Sequence, residues 1–90
     1  MAARGHALEV GQRLIVGKHA ATIRYIGSVD GQQGDWAGLE WDDPTRGKHD
    51  GSHGGTRYFT CVRHHEAGSF VRLPKLLETA DLGLSPSIRA

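Results

Sequence analysis

Read for its hydrophobic and polar positions, the chain offers five short stretches of strand character: residues 12–17 (QRLIVG), 19–29 (HAATIRYIGSV), 35–42 (DWAGLEWD), 56–62 (TRYFTCV) and 68–73 (GSFVRL). The second shows the period most plainly. Successive side chains of a strand point to opposite faces, so Ala21, Ile23 and Tyr25 are expected on one face and Thr22, Arg24 and Ile26 on the other. No window of ten or more residues keeps a helical period before residue 74. From there PKLLETADLGL (74–84) predicts a turn or two of helix, with Pro74 at the first helical position, where a missing N–H costs nothing.

Turn signals separate the strands: Gly17-Lys18, Asp30-Gly31 with Gly34, Asp43-Pro44 and Ala67-Gly68. Short strands joined by glycine-rich turns predict a mainly β fold, a small antiparallel barrel or sandwich. Residues 1–7 read as a flexible lead-in, 8–78 as the folded domain, and 79–90 as a C-terminal tail or linker to downstream domains. There is no internal repeat and no low-complexity tract.

Composition narrows the function classes. Ninety residues hold one small core, and 38% hydrophobic with 23% charged residues is a globular balance. Eleven basic against ten acidic residues leave +1, too neutral for a general nucleic-acid or membrane-surface binder. The single cysteine, Cys61, cannot form an intrachain disulfide and fits a reducing compartment. The opening MAARGHALEV lacks the apolar stretch of a secretory signal, and no run approaches the roughly 18–20 apolar residues that span a bilayer. A cytoplasmic, monomeric domain without membrane contact is the expectation.

The stretch RGKHDGSHGGTRYF (46–59) concentrates the candidate chemistry. It is not a phosphate loop: Asp42 stands where the first glycine should be, His49 follows Gly47-Lys48 in place of a hydroxyl, and the segment leads into more strand. His49, His53, Cys61 and His64 have the residue types of a zinc site, but His-x3-His brings two rings together on a helix, which these glycines disfavour; loop histidines and a small packed cysteine are the plainer reading. Cys61 with His64 and His65 is the one nucleophile candidate, and its place at the end of an apolar strand favours packing over catalysis. Asp42-Asp43 before Pro44 reads as a turn and not as an acid/base pair. Arg46, Lys48, Arg57, Arg63, Arg72 and Lys75 lie near aromatics, as in a nucleic-acid-binding small barrel, yet Glu40, Asp42, Asp43 and Asp50 share the region. No enzyme activity and no cofactor are expected.

VGQRLIV (10–16), GDWAGLEWDDPTRGKHDG (34–51), YFTC (58–61) and GSFVR (68–72), in this order and spacing, resemble the CAP-Gly domains of microtubule-associated proteins. The resemblance covers roughly residues 8–77 and implies an SH3-like antiparallel β-barrel that binds acidic carboxy-terminal tails ending in Glu-Glu-Tyr/Phe, such as that of α-tubulin. His49, where most members carry Asn, resembles the branch of the family found in tubulin-folding chaperones. That implies cytoskeletal association and a part, with other tubulin-folding cofactors, in assembly and disassembly of the tubulin heterodimer.

Carried onto this chain, the resemblance implies a peptide site of Trp36, Gly47, Lys48, His49, Gly51, Phe70, Arg72 and Lys75. Gly47 and Gly51 would shape the backbone path, Lys48 and Arg72 would meet carboxylates, and Trp36 and Phe70 would form an apolar slot. His49 would donate to the tail, which would raise its pKa in the complex. Alternation alone leaves Trp36, Phe70 and Phe59 open between groove and core, while Trp41 is assigned to the core and Tyr58 and Phe59 to support of the loop. Asp50 is expected to hold the loop through backbone hydrogen bonds. Two features depart from the family pattern: Gly31 stands where many members have a groove aromatic, and the loop at 62–68 is longer, bringing His64 and His65 near the tail. Lys75 replaces a common Gln, which would favour acidic partners.

Overall fold

A computed structural model describes residues 8–81. Strands β1 (Arg13–Val16), β2 (His19–Gly27) and β3 (Trp36–Trp41) lead to a single 3-10 turn, Pro44–Arg46, and then to a small hairpin of β4 (Ser52–His53) and β5 (Thr56–Arg57). Strand β6 (Gly68–Arg72) runs directly into α1 (Leu73–Thr79), and β7 (Ala80–Asp81) ends the described chain. Five of these strands form one antiparallel sheet in the order β6-β3-β2-β1-β7.

The expected strand at 56–62 is reduced to the two residues of β5, because residues 58–61 leave the hairpin to pack against the main sheet. The helix begins at Leu73, one residue early, and its seven residues to Thr79 make the turn or two expected within 74–84. The boundary expected at 78 falls inside α1: β7 pairs with β1 and carries the fold to Asp81. Residues 1–7 and 82–90, read from sequence as lead-in and tail, lie outside the described residues.

A closed ring of hydrogen bonds is not what the pairing shows, since β6 and β7 stand at opposite edges of the sheet. Arg72 lies level with Trp36 and Gly27, whereas Ala80 lies level with Val16 and His19, at the other end of β2. On a flat sheet those points would be about 26 Å apart along the strands and about 19 Å across them. The seven residues of α1 span only about 10 Å. The sheet is therefore strongly curled, and the helix, not a strand pair, bridges its two edges.

Inside the curl sits the hydrophobic core of Leu14, Ala21, Ile23, Ala37, Leu39, Trp41 and Leu76. Trp41 is in the core as expected, with its indole N–H donating to Ser69 Oγ at 2.8 Å. The alternation read in β2 holds only as far as Ile23. Register shifts between Ile23 and Tyr25, leaving Arg24 as an extra residue opposite Leu39 and Gly38. Beyond this bulge the faces exchange: Ile26 packs on the hydrophobic core, and Tyr25 turns to the outer face with Phe70 and Tyr58. One inserted residue thus moves a tyrosine from the core to the functional side.

Candidate functional site

The outer face of the sheet is a row of residues at alternate positions: Glu40, Gly38 and Trp36 on β3 pair with Gly68, Phe70 and Arg72 on β6. The long connection from Asp42 to Ala67 folds over one end and the middle of this row. At the first end Glu40 is 1% exposed, and its carboxylate accepts from Arg24 Nε at 2.9 Å and from the backbone N–H groups of Val62, Arg63 and His64 at 2.9, 2.6 and 3.3 Å. Burial alone would push this carboxyl up; the three backbone donors and Arg24 outweigh it and hold the pKa below the usual value. Glu40, read from sequence only as a local negative charge, is the anchor of the 62–68 loop.

Over the middle of the face Phe59, 7% exposed, and Tyr58 pack edge-on to Phe70, with centroids 5.8 and 5.3 Å away. This supports the loop as expected of both. Tyr58 accepts from the Asp30 N–H at 2.9 Å, and Tyr25 donates to the Ser28 carbonyl at 2.6 Å, so the 28–35 loop is held beside them. Asp50 accepts from the Ser52 N–H at 3.0 Å and pairs with Arg57 at 3.2 Å, which makes it a loop brace.

Glycines set the path of this layer. Gly51 has φ +105°, and a Cβ there would overlap the Phe59 carbonyl; a Cβ at Gly47 would overlap the Glu66 carbonyl. The Lys48 and His49 N–H groups both donate to the Gly68 carbonyl, at 2.8 and 3.1 Å, pinning the loop to β6. Lys48 is exposed, and no ion pair holds its ammonium group among the described residues.

His49 is turned inward. Its Nδ1 accepts from the Gly51 N–H at 3.0 Å, so the neutral ring carries its proton on Nε2, a buried atom without a partner among the described residues. The ring tilts onto Phe70 at 5.0 Å and lies 6.0 Å from Phe59. Burial, with the neighbouring His53 adding to it, lowers the His49 pKa in the domain without a bound peptide.

At the open end of the row lies a pocket of about 230 Å³ lined by Val29, Gln32, Trp36, His53 and Phe70. Trp36 and Phe70 meet here, half-buried, which places them in the groove and not the core. The Arg72 guanidinium stacks over Trp36 at 4.6 Å and donates to the Gln33 carbonyl at 3.3 Å, which the Trp36 indole N–H also reaches at 3.2 Å. Val29, Gln32 and His53 complete the lining; Gly31, with φ +80°, is not part of it. Sequence reasoning missed these three. His53 had a signal in the glycine-bounded SHGG turn, but only the folded hairpin lays its ring edge-on to Phe70, at 6.2 Å. Lys75 lies on the exposed first turn of α1, and among the described residues no hydrogen bond or ion pair joins its side chain to the groove.

The rival chemistries find little support in this geometry. Among the described residues the group of metal-competent side chains with ligating atoms within 4.8 Å of one another is Asp50, His65 and Glu66, not the His49, His53, Cys61 and His64 set. Burial raises the Cys61 thiol pKa, the wrong direction for a nucleophile. Of the cations suited to nucleic acid, Arg57 pairs with Asp50, Arg63 with Asp42, and Arg46 lies over Trp41 at 4.9 Å. No helix among the described residues is long and apolar enough to cross a membrane.

Comparison with known proteins gives the chain its family. The sequence profile of the CAP-Gly domain matches residues 10–76. Tubulin-specific chaperone E of Danio rerio is 56% identical over 66 residues, 73% of this chain; the match spans only 12% of that relative's length. Among solved structures, the Bik1 CAP-Gly domain with an ETF peptide from Bim1 superposes with a TM-score of 0.67 at 29% identity, covering 80% of this chain and 89% of that one. The CAP-Gly domain of human Kinesin-like protein KIF13B gives 0.68 at 33% identity, covering 94% and 86%. With its profile matched across nearly the whole described fold, the chain belongs to the CAP-Gly domain family.

Proposed function

We propose that this domain captures the acidic carboxy-terminal tail of α-tubulin, ending in Glu-Glu-Tyr/Phe, as the tail-reading module of a cytoplasmic, cytoskeleton-associated tubulin chaperone. The observation that carries the reading is the pocket between Trp36 and Phe70, apolar on those walls and flanked by cations: Arg72 stacked on Trp36, and Lys48 one residue before the ring that packs on Phe70. An aromatic end group fits the slot, and the cations suit the carboxylates beside it. Gly47 and Gly51 serve by letting the loop lie close, His49 by bracing Phe70, and Lys75 by a more remote attraction. The relative solved with an ETF peptide supports a ligand of this kind, and the curled sheet with its bridging helix is read as the family's SH3-like barrel.

Chaperone context, the working with other tubulin-folding cofactors included, rests on the likeness to tubulin-specific chaperone E. Calorimetry with a tail peptide, the same peptide lacking its last residue and a C-terminally amidated form tests the reading. The intact peptide should bind in the micromolar range, and either change should weaken it by about tenfold or more. Equal binding of all three would overturn end recognition; tighter, salt-sensitive binding of an oligonucleotide would favour the nucleic-acid alternative.

A further inference from the structure

We infer that the pocket discriminates a phenol from a phenyl ring, with His53 and Gln32 as its specificity-determining residues, so that tails ending in Tyr are preferred to those ending in Phe. The inference rests on the tail-binding reading and goes beyond it to the chemistry of the end group. Five side chains line the pocket. Val29 and Phe70 have no polar atom, and the Trp36 indole N–H is engaged by the Gln33 carbonyl at 3.2 Å. Arg72 is not among the lining residues; it stacks over Trp36 at 4.6 Å with one donor on the same carbonyl. This leaves the Gln32 amide and the His53 imidazole as the lining groups whose side chains make no hydrogen bond among the described residues. Both can give and take a hydrogen bond, as a phenol does.

Their placement suits selection and not general affinity. His53 rests its ring edge-on against Phe70 at 6.2 Å, so its position is set by the aromatic floor while its nitrogens stay accessible. The Gln32 backbone is held at the slot by a turn in which its N–H donates to the Val29 carbonyl at 2.9 Å. A phenol that reaches either group gains a hydrogen bond that a phenyl ring cannot make, and that difference is the source of discrimination.

The test is calorimetry with two acidic peptides identical except for a terminal Tyr or Phe, on the full chain and on His53→Leu and Gln32→Leu. The unaltered chain should bind the Tyr peptide about threefold to tenfold more tightly. Each substitution should lower that ratio, and the double variant should bring it close to one, largely by weakening the Tyr peptide. Thermal melts confirm that the variants fold, and Gln32→Leu carries the test should His53→Leu disturb the hairpin. Equal affinities in the unaltered chain, or a ratio that both variants leave intact, would overturn the inference while tail recognition stands. An equal loss for both peptides in His53→Leu would do the same, placing that imidazole on the terminal carboxylate. Binding of neither peptide by the unaltered chain would remove the tail reading itself.

Discussion

Replacing Glu40 with Ala tests the second layer of the fold at its anchor. The carboxylate is 1% exposed and receives three backbone N–H donors from the 62–64 segment besides Arg24 Nε. Hydrogen bonds to a charged group are each worth about 1.5–3 kcal/mol, but four on one carboxylate do not add. The better measure is the cost of removing one partner of a buried ion pair, about 3–5 kcal/mol, because Arg24 and the three N–H groups then lose their acceptor together. In a domain of this size each kcal/mol moves the melting temperature by about 4–8 °C, so a drop of at least about 12 °C is expected. Glu40→Gln, which keeps the volume and one acceptor oxygen, should fall between the two proteins.

The pH dependence has a definite sign. The folded pKa of Glu40 lies below its ordinary value, so its contribution is complete above about pH 4.5 and is lost as pH falls through the lower folded value. In tryptophan-monitored melts the gap between the unaltered chain and Glu40→Ala should therefore be wide at pH 7 and narrow as pH falls through that folded value. Amide exchange supplies the local readout, with Val62 and Arg63 losing protection in the variant before strand β3 does. A Glu40→Ala protein melting within a few degrees of the original at pH 7, with these amides still protected, would refute the anchoring argument.

Three further outcomes are expected. Gly51→Val should cost at least about 2 kcal/mol and show as an early melt by circular dichroism, because φ +105° and the overlap with the Phe59 carbonyl both oppose a side chain; a normal melt would show that the loop has another path. Lys48→Ala should weaken tail binding by about 1–3 kcal/mol in calorimetry and leave the melting temperature unchanged, its ammonium being exposed and without an ion pair among the described residues; an early melt with normal binding would place Lys48 in the fold. Because burial lowers the His49 pKa, its contribution to stability is complete above the ordinary histidine value of about 6.5 and is lost as pH falls below it. His49→Asn should therefore lose less stability between pH 7.5 and pH 5.5, and equal slopes in paired melts would show that His49 does not carry the effect.

Local pattern determined a good part of this protein. Strand-like patches located β1, β2, β3 and β6, and period-two alternation put Ala21 and Ile23 on one face of β2, because side-chain direction in a strand needs no knowledge of partners. The glycine spacing of GKHDG marked a loop that only unhindered backbone could follow, and the assignments of Trp41 to the core and of Asp50 to the loop rest on equally local chemistry. Tertiary structure decided the rest. The bulge at Arg24 exists because β2 must serve β3 around a sharp curl, and it is what sends Tyr25 outward and Ile26 inward. Whether His49 or His53 faces the pocket depends on how the loop and a two-residue hairpin lay the two rings against Phe70 on β6. Glu40 became an anchor when three N–H groups more than twenty residues later closed on it. Each of these outcomes is settled by a contact between residues distant in sequence, whose closure in space no short window of the chain records.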